Sequence, residues 1–214
     1  MESQNIRVTI SLPCFGRPER TKRSIQCILD QTINGWEAFI MGDCCPDFQK
    51  LIDNGYLENI KQEQFQKGNI IHYFNAEERG GGFGYVLTNY AIQNATGKYL
   101  VFLANDDIID SDHFKHYLSE IENTNLDLVY YNSELVPLKG TRDTKLAISG
   151  IGHCDIIVST EAARKVNGHS DKYTHDWDFI KQIAENGKHK KALSKKATYK
   201  VMRLGSAPLI ENID

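Results

Sequence analysis

The run Tyr99-Leu-Val-Phe-Leu-Ala104, with Gly97 before it and Asn105-Asp106-Asp107 after it, constrains the fold more than any other stretch. A short segment that is apolar at consecutive positions reads as a strand buried on both faces, which requires a layer above it and another below. Burying that strand carries two adjacent carboxylates to its C-terminal end, the edge where open α/β sheets bind ligands. Neighbouring acids repel each other unless a cation stands between them and something anionic. A hard divalent ion shared with a substrate phosphate meets both demands. The alternative is that Asp106 and Asp107 cap the next helix, a task for which Asp110 and Ser111 lie nearer.

Around this run, apolar segments alternate with amphipathic ones. Strands are expected over 6–12, 36–41, 69–74, 99–104 and 126–131. Helices are expected over 19–31, 85–95 and 113–123, with 48–66 helical in pieces broken near Gly55. This βαβαβ rhythm implies an α/β fold in which helices flank a mostly parallel sheet. The last third is less regular. It holds a basic turn from Lys139 to Lys145, helices near 160–166 and 176–186, and a strand near 197–202. No internal repeat or low-complexity linker divides the 214 residues, which suit one large domain.

A net charge of −3 argues against a nucleic-acid partner. No run approaches the ~18 apolar residues of a membrane span and no signal peptide is seen, so a cytoplasmic chain is expected. The five cysteines have no zinc-type CxxC spacing and read as reduced thiols, Cys44-Cys45 as small buried hydrophobes.

Residues that follow parallel strands converge on one edge. Here they are Pro13, Phe15 and Arg17 after the first strand, Asp43 after the second, Asn75 and Arg79 after the third, and the acid pair after the fourth. An aromatic face, an acceptor, guanidinium groups and a metal-binding pair suit a nucleotide diphosphate. Asp43 reads equally as a turn residue, and Arg79 beside Glu77 and Glu78 as a solvated charge. The cluster Gly80-Gly-Gly-Phe-Gly84 fits neither standard phosphate-loop pattern, and serves equally as a loop for close ligand approach or as a connector. Asp176 and Asp178 flank Trp177 and point to different sides, so only one of them can face a site as a general base; on the residues alone, Asp176 reads rather as the cap of the helix running to Asn186. His113 and His116 read as a solvated helix face, and His153 beside Cys154 as a hydrogen-bonded core histidine.

With those residues in view, the chain resembles the family 2 glycosyltransferases of the GT-A fold over roughly residues 5 to 203. The resemblance is carried by Pro13-Cys-Phe15, Ile28-Leu-Asp-Gln31-Thr32, Phe39-Ile-Met-Gly-Asp43, and Asn89 through Tyr99 leading into Asn105-Asp106-Asp107. Gly152-His153-Cys154 and His175-Asp176 complete it. It implies a Rossmann-like single domain, with a nucleotide-sugar part over about 5–135, an acceptor and catalytic part over about 136–203, and a tail over 204–214. It implies inverting transfer of a sugar from a nucleotide-diphosphate donor, UDP favoured, to the hydroxyl of a glycan or lipid-linked acceptor. Asp43 would hold the base with Phe15 packed near it, Arg79 would assist the base or phosphate, and Asp106 would hold ribose. Asp107 would bind Mn²⁺ or Mg²⁺, and Asp176 would be the catalytic base. Three departures stand out: Asn105 replaces the first acid of the triad, Gly42 replaces one acid of a usual pair, and Tyr199-Lys-Val-Met202-Arg203 replaces a pattern that often carries histidine. Lys200 or Arg203 could still neutralise phosphate, and the basic tail could touch an anionic lipid-linked acceptor or a membrane surface. The rival functions are a nucleotidyltransferase, which would carry a glycine- and lysine-rich first loop, and a non-catalytic sugar-nucleotide-binding module.

Overall fold

The structure, a computed structural model, describes residues 5–136, 138 and 140–202. Arg203 and the expected tail over 204–214 lie outside the described residues. In chain order the elements are β1 (Val8–Cys14), α1 (Pro18–Leu29), β2 (Trp36–Gly42), α2 (Pro46–Asp53), α3 (Tyr56–Gln66), β3 (Ile70–Asn75), α4 (Tyr85–Asn94) and β4 (Tyr99–Phe102). They continue with β5 (Ile108–Ile109), α5 (His113–Ile121), β6 (Leu128–Tyr130), β7 (Ser133–Val136), β8 (Gly140–Arg142), β9 (Ile156–Ser159), α6 (Thr160–Arg164), α7 (His175–Asn186), β10 (His189–Lys191) and β11 (Tyr199–Met202).

Seven strands form one sheet in the order β10-β6-β9-β4-β1-β2-β3. All its pairings are parallel except those of β9, which runs antiparallel to both neighbours. The apolar run is buried on two sides, as its composition requires. Tyr99 and Val101 pack into a cluster with Ile25 of α1 and Phe114 of α5. Leu100 and Phe102 pack into another with Ile92 of α4 and Phe179 of α7. Alternate side chains thus serve opposite layers, and each such burial contributes about 1.5–3 kcal/mol.

A second sheet, β5-β11-β7-β8, stands beside the expected mostly parallel one. Its strands are two to four residues long and half-exposed; β11 is the strand expected near 197–202, while β5, β7 and β8 have no apolar run to announce them. Strand β9 was also missed, because Ile156–Ser159 is only four residues long and runs straight into α6. The second sheet matters because it sets β11 beneath the Asn105-Asp106-Asp107 turn. The expected solvated face of α5 is corrected as well: His113 is buried, and its Nδ1 lies 2.8 Å from Thr198 Oγ1. Among the described residues no helix is long and apolar enough to cross a membrane. The five cysteines are free thiols.

Candidate functional site

The C-terminal ends of β1, β2 and β4 open onto a cleft of about 420 Å³. It is lined by Pro13, Phe15, Arg17, Asp43, Arg79, Asn105 and Asp106 on one side and by His153, His175 and Asp176 on the other. All but one of the expected site residues therefore meet in a single hollow. The exception is Asp107, whose carboxylate faces β11.

The first wall is built by α1 and the strand-end loops. Arg17 is the N-cap of α1 and adopts a left-handed backbone (φ 51), as does Cys44 (φ 49) beside Asp43. Such conformations cost on the order of 1–3 kcal/mol each for non-glycine residues and gather at functional sites. Arg17 pairs with Asp106, Arg23 Nη2 donates to the Asp106 carbonyl at 3.1 Å, and Ser24 Oγ donates to the Asp107 carbonyl at 2.7 Å. Asn105 Nδ2 donates to Thr21 Oγ1 at 3.0 Å. One polar face of α1, with Thr21 and Ser24 three residues apart, thus fixes the whole turn. That pair of buried hydroxyls beside Ile25 and Ile28 was the signal that sequence reading passed over.

Asp43 is buried, with Oδ1 accepting the Gly80 N–H at 2.7 Å and Oδ2 3.7 Å from Arg79 Nε. The first residue of the glycine cluster thus orients the acid. Arg79 also lies over the exposed ring of Phe15, 3.9 Å from its centroid, an arrangement with cation–π attraction. The absent second acid at Gly42 has a steric reason, because a Cβ there would collide with Asn75 Oδ1 and the Phe48 ring. Gly84, in a left-handed conformation (φ 66), enters α4 so close to Pro13 that a Cβ would sit 2.9 Å from it.

Asp107 is 6% exposed. Its Oδ1 accepts the Met202 N–H at 2.7 Å and its Oδ2 accepts the Tyr199 hydroxyl at 2.8 Å. Burial pushes its pKa up to about 6; the two donors pull it down without bringing it back, and the repulsion of Asp106 adds to the rise. Each carboxylate oxygen keeps a lone pair after one hydrogen bond, so a hard divalent ion fits this acid chemically. Lys200, an expected phosphate partner, is instead paired with Asp110 at 2.6 Å.

On the facing wall, Asp176 sits in the first turn of α7, and Thr174, not Asp176, is the N-cap. Its Oδ2 accepts the His153 N–H at 3.2 Å. His153, His169 and His175 surround its other oxygen. Burial acts to raise the Asp176 pKa, but the imidazole of His153 outweighs it and holds the carboxyl well below its ordinary range. Burial takes His169 down to about 3 and lowers His175. His153 is therefore not an isolated core histidine but a member of a cluster that could hold a metal ion.

Residues 9–172 match the family described as "Glycosyl transferase family 2". An uncharacterized glycosyltransferase of Rickettsia felis is 30% identical over 137 residues, which are 63% of this chain and 21% of that protein. The Escherichia coli protein named UDP-Glc:alpha-D-GlcNAc-diphosphoundecaprenol beta-1,3-glucosyltransferase WfgD is 23% identical over 183 residues, or 80% of this chain and 66% of that one. Among solved structures, Staphylococcus aureus TarS 1-349 in complex with UDP-GlcNAc superposes with a TM-score of 0.77 at 17% identity, covering 94% of this chain and 60% of that one. The likeness shows the fold to be GT-A. The chain spans about a fifth of the length of the Rickettsia relative and three fifths of the TarS chain.

Proposed function

Because this chain belongs to glycosyl transferase family 2, we propose that it transfers a sugar, with inversion, from a UDP-sugar to the hydroxyl of a glycan or lipid-linked acceptor. The observation that carries this reading is one cleft with donor-binding groups on one wall and a half-exposed carboxylate, Asp176, on the other. Asp43 accepts hydrogen bonds from the base, and Phe15 packs against it while Arg79, stacked on Phe15, faces base or phosphate. Pro13 and Arg17 shape the floor, and Asp106 takes the ribose hydroxyls. Asp107 would hold Mn²⁺ or Mg²⁺, which when bound neutralises charge on the departing diphosphate. Asp176 accepts the proton of the acceptor hydroxyl, a contribution of about 10²–10⁴ in rate for a positioned base.

The residues around 5–135 form the donor side and those around 136–203 supply the acceptor side. WfgD, by its name, acts on a diphosphoundecaprenol-linked sugar. That supports a lipid-linked acceptor and, with it, action at the cytoplasmic face of a membrane. The test is Asp176→Asn, read by donor binding in calorimetry and by transfer with an acceptor panel. Turnover is expected to fall at least about a hundredfold with donor affinity unchanged. Undiminished transfer by this variant would remove Asp176 from the role.

A further inference from the structure

On the acceptor side of the cleft, Asp176 stands among three histidines to which the transfer reading gives no role. His153 follows Gly152 in a turn before β9, His169 follows Gly168 in the loop after α6, and His175-Asp176 open α7. Three separate segments thus bring four ligand-type side chains together, and one ligand atom from each lies within 4.8 Å of all the others. His153 Nδ1 is 2.8 Å from Asp176 Oδ1, His175 Nδ1 is 3.2 Å from it, and His169 Nδ1 is 3.7 Å from it. His169 Nδ1 and His175 Nδ1 are 3.0 Å apart.

These separations bracket the ligand–ligand edge of a tetrahedral zinc site, about 3.3 Å for zinc–nitrogen bonds of about 2.0–2.1 Å. His153 Nδ1 and Asp176 Oδ1 are buried and 2.8 Å apart, yet among the described residues neither makes a hydrogen bond of regular geometry.

The surroundings fix the ligands. The His169 ring stacks on Phe179 at 4.3 Å, and its backbone is clasped by Asn89, which accepts the His169 N–H at 2.7 Å and donates to its carbonyl at 2.8 Å. Asp176 keeps Oδ2 on the His153 N–H. His153, His175 and Asp176 line the cleft, so an ion has a way in. Imidazole nitrogens prefer borderline ions, whereas carboxylates and phosphates prefer Mg²⁺ or Mn²⁺.

We propose that His153, His169, His175 and Asp176 form a binding site for a borderline divalent transition ion of the Zn²⁺ class, distinct from the oxygen-lined position at Asp107. An ion there takes the Asp176 oxygen that faces the histidines, so metal-loaded and base-competent forms are alternatives. The inference stands on the cluster alone and is tested without donor or acceptor.

Full chain freed of metal by chelation is titrated with Co²⁺ in the absence of nucleotide and then challenged with Zn²⁺. One Co²⁺ per chain is expected, with the strong visible absorption of a four-coordinate ion, displaced by Zn²⁺. His169→Gln is expected to weaken Co²⁺ binding at least about tenfold, while Asp107→Asn leaves it unchanged. A wild-type spectrum without four-coordinate bands overturns the site, whether or not the His169 variant folds. Loss of the bands in Asp107→Asn with their retention in His169→Gln also overturns it. Neither result bears on sugar transfer, which is scored separately by the Asp176→Asn assay.

Discussion

Two buried acids sit at opposite ends of the same sheet, and the protein treats them differently. Glu37, at the start of β2, is fully buried and surrounded by donors. Its Oε1 accepts Thr9 Oγ1 at 2.6 Å, Gly97 N–H at 3.0 Å and the Thr96 N–H; its Oε2 accepts Thr96 Oγ1 at 2.9 Å and lies 3.4 Å from His72 Nε2. Burial alone would raise its pKa, yet His72, Thr9 and Thr96 bring it down to about 2. Asp107, past the other end of β4, has two donors and an acidic neighbour, and its pKa rises to about 6. An acid whose burial is cancelled from within is scaffold. An acid left in electrostatic deficit is where an arriving cation gains most, and such deficits gather at functional sites.

The sharpest way to break this contrast is Asp107→Asn. If the deficit exists to receive an ion, transfer falls on the order of a hundredfold or more, while the melting temperature holds or rises because a poorly satisfied charge is gone. Transfer within about twofold of wild type over a Mn²⁺ titration would sink the assignment. Glu37→Gln should behave in the opposite way, with a large loss of stability and unchanged transfer by the folded fraction. The folded value near 2 lies below the ordinary 4.5. Its stabilisation is therefore complete above the unfolded value and disappears as the pH falls from about 5 towards 2. The amount is about 3 kcal/mol. Urea denaturation from pH 7 to pH 3 should show this slope in wild type and a flatter profile in Glu37→Gln; equal slopes would contradict the cancellation.

The sequence made the donor wall legible because parallel strands leave a regular trace. Runs such as Trp36–Met41 and Tyr99–Ala104 declare themselves, and whatever follows them must share one edge. Phe15, Asp43, Arg79 and Asp106 needed only that rule. The acceptor wall follows no periodic rule. His169 and His175 arrive from a loop and a helix start, and His153 from a turn; their meeting depends on packing against Phe102 and Phe179. The environment of Asp107 was equally hidden: its donors come from β11, more than ninety residues away, and although that strand was expected, its pairing with the short strands β5 and β7 leaves no trace in the sequence.

The smallest expected effect probes the contrast at a single hydroxyl. Tyr199 is fully buried; its OH donates to Asp107 Oδ2 at 2.8 Å and accepts the Ala104 N–H at 3.2 Å. Tyr199→Phe keeps the ring and removes both bonds, costing about 1–2 kcal/mol. With its second donor gone, Asp107 should depend more on an ion for neutralisation and orientation. Mn²⁺ with UDP should restore part of the lost stability, although the ion binds about tenfold more weakly than to wild type. Thr9→Val removes a comparable hydroxyl from Glu37, which retains donors from Thr96 and Gly97. It should lose a similar amount, and Mn²⁺ with UDP should add no more stability than it adds to wild type. Equal rescue of both variants would mean that the two acids do not differ in kind, because only the acid at the ligand-binding edge should feel the ion.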